Sequence, residues 1–198
     1  AAGEICVHKN DALHWTTFLS LNNVEVVIHN AAVVGTDVVA LDPREATLTN
    51  VQGTSNIVTA CERMKIPICF MGTSVVYEVE KYQRTMITEN SKVSPKTYYG
   101  VLKAAGDMIV NRAKCPSTIV RPLFAYGGDG DMNSLIAKTI FSSWKGKEKL
   151  DMFLDPAKIK DYIFVDDFCE AVALICEREM WDHDFIVSAQ DPHTISDV

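Results

Sequence analysis

Long apolar runs are missing from this chain of 198 residues. No stretch approaches the roughly 20 apolar residues that span a bilayer, and no secretory leader pattern opens the sequence. Both absences predict a protein that lives in the cytoplasm, off the membrane. A basic balance is missing too: the net charge is −7. With no long run of Lys and Arg, a nucleic-acid surface is excluded, although an anionic small ligand is not, because local donors can override the global field. Metal-ligand spacing is also lacking. The six cysteines, at 6, 61, 69, 115, 169 and 176, contain no C-x-x-C pair and no nearby His at zinc-finger spacing. They read as buried, reduced thiols, and no metal is expected. Glycine, finally, is almost absent at the start: Gly3 is the only one in the first thirty residues. No glycine-rich turn able to cradle a phosphate at a helix N-terminus therefore stands before residue 24.

What remains is ordinary globular composition, 47% apolar and 23% charged. Strand-like runs at 24–29 (VEVVIH), 67–72 (PICFMG), 117–121 (STIVR), 161–165 and 185–188 alternate with helix-period segments at 46–64, 98–112, 132–145 and 166–179. In 46–64 the buried side is read as Val51, Thr54, Ile57, Val58 and Cys61. In 98–112 it is read as Val101, Leu102, Ala105, Met108 and Ile109. Asp166 and Asp167 fit the N-terminus of the last helix, where the dipole favours acids. This alternation predicts an α/β fold, a Rossmann-like parallel sheet flanked by helices. One domain is expected over 1–198, with substrate-covering elements within about 126–160 and 185–198. His8, His14, His183 and His193 read as surface or structural residues, and Trp15, Trp144 and Trp181 as core or cover.

In such a sheet, ligands bind at the carboxyl ends of the strands. The first end reads His29-Asn30-Ala31-Ala32, small enough to let an extended ligand approach the backbone. The second reads Gly72-Thr73-Ser74, which places hydroxyls at a strand mouth. The third is Arg121-Pro122. Between the second and third lie Tyr99 and Lys103, four apart on a helix and so on one face. An ammonium beside a phenol favours the phenolate. The pair could serve as a general base near neutral pH, with the Thr73 hydroxyl holding the oxygen that loses its proton. That equipment oxidises an alcohol, provided a hydride acceptor is present. A lone Tyr-x-x-x-Lys carries little weight; the order and spacing of the whole set carry more.

The same residues resemble the extended short-chain dehydrogenase/reductase family, also called the NAD-dependent epimerase/dehydratase family. VVIHNAA (26–32) resembles its "ViHlAa" strand end, and Asn50-Val51-Gln52-Gly53-Thr54 its "N-V-x-G-T" helix. GTSVVY (72–77) resembles "S/T-x-x-V-Y", and YYGVLKAAGD (98–107) resembles "Y-G-x-S-K-x-x-x-E". RPLFAYGGDG (121–130) is similar to "R-P-x-N-x-Y-G-P-G", and KDYIFVDD (160–167) to "R-D-Y/F-I-x-V-x-D". The resemblance implies Tyr99 as the acid/base, Thr73 as its partner, and Lys103 also on the nicotinamide ribose. Asn30, Ala31, Ala32 and Pro122 would flank NAD or NADP, with NAD favoured. Asn50 would set the sheet geometry or contact the cofactor. Thr73, Ser74, Phe124 and Lys160 would meet the substrate, a nucleotide-sugar. The family also implies a homodimer built on the helices at 51–64 and 98–112.

Departures from the pattern shape the rest. The missing Gly-rich turn and the end at Val198 predict a chain without the family's first βαβ unit and C-terminal end. Phe124 stands where many sugar-nucleotide enzymes have Asn. Lys160 stands where many have Arg, keeping the charge but losing the bidentate fork. Ser74-Val75 replaces the Asp-Glu of 4,6-dehydratases, which disfavours that reaction. The leading expectation is an epimerase similar to UDP-glucose 4-epimerase, or a dehydrogenase of a nucleotide-sugar. The alternatives are a dehydrogenase or reductase of a smaller alcohol or sterol-like substrate, and a non-catalytic binding or assembly module.

Overall fold

Three short strands lie side by side in a computed structural model that describes residues 12–77, 87–128, 145–146 and 156–197. They are β1 (Val27–His29), β2 (Ile68–Met71) and β3 (Ser117–Pro122). β1 pairs parallel with β2, and β2 parallel with β3. A later strand, β6 (His183–Val187), completes the sheet in the order β1-β2-β3-β6. Parallel neighbours need crossover helices, and the chain provides them, as the alternating pattern predicts. All four β2 residues are buried, in keeping with a strand covered on both faces.

By its contacts the chain divides into two compact units. The first holds residues 1–121 and 175–186, the second 122–174 and 187–198. In the first unit, α1 (Ala12–Leu21) packs on α4 (Thr54–Met64). Trp15 and Leu19 join Ile57, Val58, Cys61, Ile68, Phe70, Val110 and Ile119 in one core cluster. The expected buried side of the 46–64 segment holds for Thr54, Ile57, Val58 and Cys61. That segment is not one regular helix, however. It begins as α3 (Pro43–Thr47) and passes through a π-helical turn over Leu48–Gly53 before α4. Apolar spacing cannot reveal such a widened turn, because the i→i+5 insertion leaves the residue types unchanged. The sequence reading also passed over α1 and the short α2 (Thr36–Leu41).

The helix α5 (Tyr98–Val110) starts at Thr97, whose hydroxyl accepts from the Gly100 N–H at 3.0 Å, a side-chain N-cap. Its buried face corrects the expectation. Tyr99, Leu102, Lys103, Gly106, Asp107 and Val110 point inward, whereas Val101 is 47% and Met108 64% exposed. The chemistry-bearing positions lie inward together with Leu102 and Val110, so the helix buries its polar pair at the expense of two apolar side chains. Gly106 permits a close approach: a Cβ there would lie 2.7 Å from the tip of the Phe70 ring.

The second unit contains a three-stranded sheet in the order β4-β5-β7, from β4 (Phe124–Tyr126), β5 (Ile159–Phe164) and β7 (Pro192–Thr194). β4 and β5 run parallel, and β5 and β7 antiparallel. The register sets Phe124 beside Tyr162 and Tyr126 beside Phe164, an aromatic cross-strand face. Helix α6 (Val165–Glu177) carries Asp166 and Asp167 in its first turn, where acids complement the dipole. The helix expected at 132–145, with Trp144, lies outside the described residues apart from Lys145, as do His8 and Cys6. Cys61, Cys69 and Cys115 are buried as expected, but Cys169 is exposed: it sits on α6 between Phe168 and Glu170, two residues after an acidic pair, so no apolar run surrounds it. No helix among the described residues is long and apolar enough to cross a membrane.

Candidate active site

The mouth of β2 opens at Gly72 and Thr73. Thr73 is extended and starts a 3-10 turn over Ser74–Val76, its hydroxyl accepting from the Val75 N–H at 3.3 Å. The same hydroxyl favours the ionised form of the Tyr99 phenol. Thr73, Ser74, Tyr99 and Lys103 are all buried, at 9%, 8%, 8% and 5% exposure. The structure thus gathers the residues that the sequence singled out at 73–74 and 99–103 around one strand end.

The Lys103 amine donates to the Met71 carbonyl at 2.5 Å and lies 4.1 Å from the centre of the Phe70 ring. Burial pushes it down to about 8, against the pull of the Asp107 carboxylate, which favours the charged amine. Tyr99 differs from expectation. Its phenol is pushed above its ordinary value by burial, with Thr73 opposing and Asp107 adding to the rise. Spacing alone predicts a phenol lowered by its lysine. In the fold the amine is turned to a backbone carbonyl, and desolvation of the phenolate dominates.

His29 ends β1. It is 4% exposed, and its Nε2 lies 3.0 Å from the Thr54 hydroxyl. Burial first, and the Lys103 charge second, push it down to about 4, so it is neutral at neutral pH. Beyond it, Asn30 and Ala31 are exposed and Ala32 is half-buried. Asn50 sits in the π-helical turn. Its Oδ1 accepts from the Val33 N–H at 2.7 Å and its Nδ2 donates to the Val33 carbonyl at 2.9 Å. Both ends of the carboxamide are therefore spent on fixing the loop after Ala32. Of the two roles the resemblance implies for Asn50, setting the geometry is the one this arrangement supports. Pro122 ends β3 and is half-buried.

Arg121 does not line a strand mouth. It is 2% exposed, and its Nε and Nη2 donate to Asp107 Oδ2 at 3.2 and 3.0 Å, while Nη1 donates to Asp184 Oδ2 at 2.8 Å. Sequence reasoning missed this cluster. An Arg inside an apolar strand and an Asp four residues after Lys103 were the signals, because buried charges require partners; Asp184, far along the chain, had no local mark. The thiols of Cys61 and Cys69 are pushed up to about 12, mainly by burial, and are not nucleophiles near neutral pH. Among the described residues no group of His, Cys, Asp and Glu could hold a metal ion.

In the second unit, Lys160 Nζ lies 3.5 Å from the centre of the Phe124 ring, a cation–π contact. Burial, and then Lys158, push this amine down to about 8. Two of the positions where the sequence departs from the sugar-nucleotide pattern therefore touch one another.

A family model described as the NAD dependent epimerase/dehydratase family matches residues 5–187. A dTDP-glucose 4,6-dehydratase of Mycobacterium tuberculosis is 28% identical over 172 residues, 84% of this chain and 51% of the relative. The chain thus spans about half the length of the curated relatives it matches. A crystal structure of the UDP-glucose 4-epimerase of Thermotoga maritima with UDP-glucose superposes with a TM-score of 0.84 at 20% identity, covering 97% of this chain and 63% of that one. The structure of DesIV, a dTDP-glucose 4,6-dehydratase from Streptomyces venezuelae with NAD bound, gives 0.83 at 21% identity, covering 96% and 59%. At these identities the likeness to solved structures is one of fold.

Proposed function

Because the chain belongs to the NAD dependent epimerase/dehydratase family, we propose that it carries the proton-transfer half of an epimerase or dehydrogenase of nucleotide-linked sugars. The observation that carries this reading is the burial of Thr73 and Tyr99 at the end of β2, where Thr73 favours the Tyr99 phenolate, with Lys103 buried one helical turn on. Tyr99 takes the proton of a sugar hydroxyl, and Thr73 holds the same oxygen while negative charge develops on it. Lys103, charged below pH 8, favours the phenolate once its amine faces the phenol. In an epimerisation, Tyr99 returns the proton after the keto sugar has turned over.

The residues present fit the nicotinamide end of NAD(P). Asn30 and Ala31 are exposed where β1 ends, beside the parallel ends of β2 and β3. Small side chains there leave the backbone open to a flat ring. Asn30, Ala31, Ala32, Tyr99, Lys103 and Pro122 would hold that end, and Asn50 would fix the loop beneath it. The bound cofactor supplies the acceptor and donor of hydride. Ser74 and Val75 follow Thr73, with neither of the carboxylates that the resemblance requires of a 4,6-dehydratase, which favours epimerisation or simple oxidation. Ser74, Phe124 and Lys160 would contact the substrate. The reading also takes the protein as a homodimer.

The test is the whole native protein with Tyr99→Phe, offered a panel of UDP- and dTDP-sugars, with products resolved by chromatography and NMR. Turnover is expected to fall by about 10²–10⁴-fold; unchanged turnover would remove Tyr99 from the chemistry. A second reading, a dehydrogenase or reductase of a smaller or sterol-like alcohol, is favoured by the Lys160–Phe124 contact. An amine covered by a ring and lacking a bidentate fork grips a diphosphate weakly. Turnover of simple alcohols but of no sugar nucleotide would select it. A non-catalytic binding module is the third reading, and tight NAD(H) binding in a titration speaks against it.

A further inference from the structure

One buried charge cluster is not used by the mechanism above. Asp107, 4% exposed, lies one helical turn beyond Lys103 on the buried face of α5. Its Oδ2 takes both Nε and Nη2 of Arg121. Its Oδ1 is buried and has no hydrogen-bond partner among the described residues. A carboxylate seldom leaves an oxygen buried and idle. On the other side, the Lys103 ammonium has three donors and one acceptor among the described residues, the Met71 carbonyl. An under-used acceptor thus stands one turn from an under-used cation.

We propose that Asp107 is a positioning residue, clamped by Arg121 and Asp184 so that its free oxygen keeps the Lys103 amine charged beside Tyr99. The charges balance: Lys103 and Arg121 against Asp107 and Asp184. Arg121 alone would neutralise Asp107. Asp184, at 27% exposure on β6, takes up Nη1 at 2.8 Å and shares the guanidinium charge, which leaves Asp107 with field to spare for Lys103. The groups that act on the amine are Asp107 on α5 and His29 on β1, the last neutral at neutral pH. Those facing Asp107 are Arg121, Lys103 and Asp184, and Tyr77 adds its phenol on the far side of Arg121. Burial works against the charged amine, and Asp107 is the one group that restores it. The same carboxylate disfavours the Tyr99 phenolate, but there it stands last among the causes, two turns away.

The inference rests on the roles proposed for Tyr99 and Lys103, yet its test does not need turnover. In the whole native protein carrying ¹³Cε-lysine, the Lys103 resonance is identified by its loss in Lys103→Met and followed from pH 6 to 11. Asp107→Asn is expected to lower the Lys103 midpoint by about one pH unit or more, and Asp107→Glu to keep it within about half a unit of the native value. Asp184→Asn is expected to lower it less, in the same direction. Near-UV circular dichroism checks the fold of each variant. An unmoved midpoint in folded Asp107→Asn overturns the proposal, as does an equal fall in Asp107→Glu, which would show that packing and not charge is at work. If Asp107→Asn does not fold, Asp184→Asn decides: a fall supports the proposal and no change overturns it. A Tyr99→Phe enzyme that keeps its turnover would sink the proposed reaction without touching this titration.

Discussion

At pH 7 the Lys103 amine is charged in a site with 5% exposure, and burial holds it down at about 8 instead of the usual 10.5. Its folded value lies below its unfolded value. Between the two, the unfolded chain binds the extra proton, so stability rises with pH across the window from about 8 to 10.5. Below it, the charged amine costs the fold about 3 kcal/mol. Lys103→Met is therefore expected to stabilise the protein by up to that amount at pH 7, and by little at pH 10.5, while removing turnover. Urea unfolding at the two pH values measures it; a pH-independent difference would mean that the burial cost is not what separates the variants. A residue that weakens the fold where it is needed for chemistry is a familiar trade. His29 follows the same sign rule at lower pH: the fold keeps its ring neutral while the unfolded chain takes up a proton, so stability falls as pH falls from 6.5 toward 4.

Helix α5 and strand β2 are the elements that hold the pair. The missing side chain at Gly106 lets the Phe70 ring lie against the helix, and Phe70 in turn lies under the Lys103 amine. Gly106→Ala sets two effects against each other. Alanine gains about 1 kcal/mol in helix propensity, but its Cβ would stand 2.7 Å from Phe70 Cζ and 3.3 Å from Cε1. Phe70 is 1% exposed within the core and has no room to retreat, so overpacking of about 1–3 kcal/mol wins. The variant is expected to be less stable in chemical denaturation; a gain in stability would show that the ring yields. The sequence displayed the helix and its Tyr–Lys spacing, because period and spacing are local. It misjudged the buried face at Val101 and Met108, because which face turns inward depends on what packs there.

On the molecular scale, α5 exposes Tyr98 at 47%, Val101 at 47% and Met108 at 64%, spaced as one helical stripe. The proposed homodimer would cover that stripe. Met108→Glu is expected to shift the whole native protein toward monomer in sedimentation velocity, because a carboxylate buried in an apolar interface has no partner. A native protein that sediments as a monomer would remove the dimer outright. Met108 is 64% exposed on the outer side of α5, so the protein's fold and any monomer activity provide an internal control.

The sequence by itself determined the fold class and the grouping of Thr73, Tyr99 and Lys103, because strand ends, helical spacing and motif order are written in consecutive residues. Only the tertiary structure decided where the charges go. Arg121 looked like a residue at a strand mouth, yet it is spent on Asp107 and Asp184, the latter 63 positions away. Asn50 had two roles open to it, setting the geometry or meeting the cofactor, and both ends of its side chain hold Val33. Tyr99 looked like a phenol lowered by its neighbour, yet burial raises it while the amine turns to Met71. In each case the partner or the desolvation comes from a segment distant in the chain, and an energy set by burial cannot be read until folding has chosen what is buried.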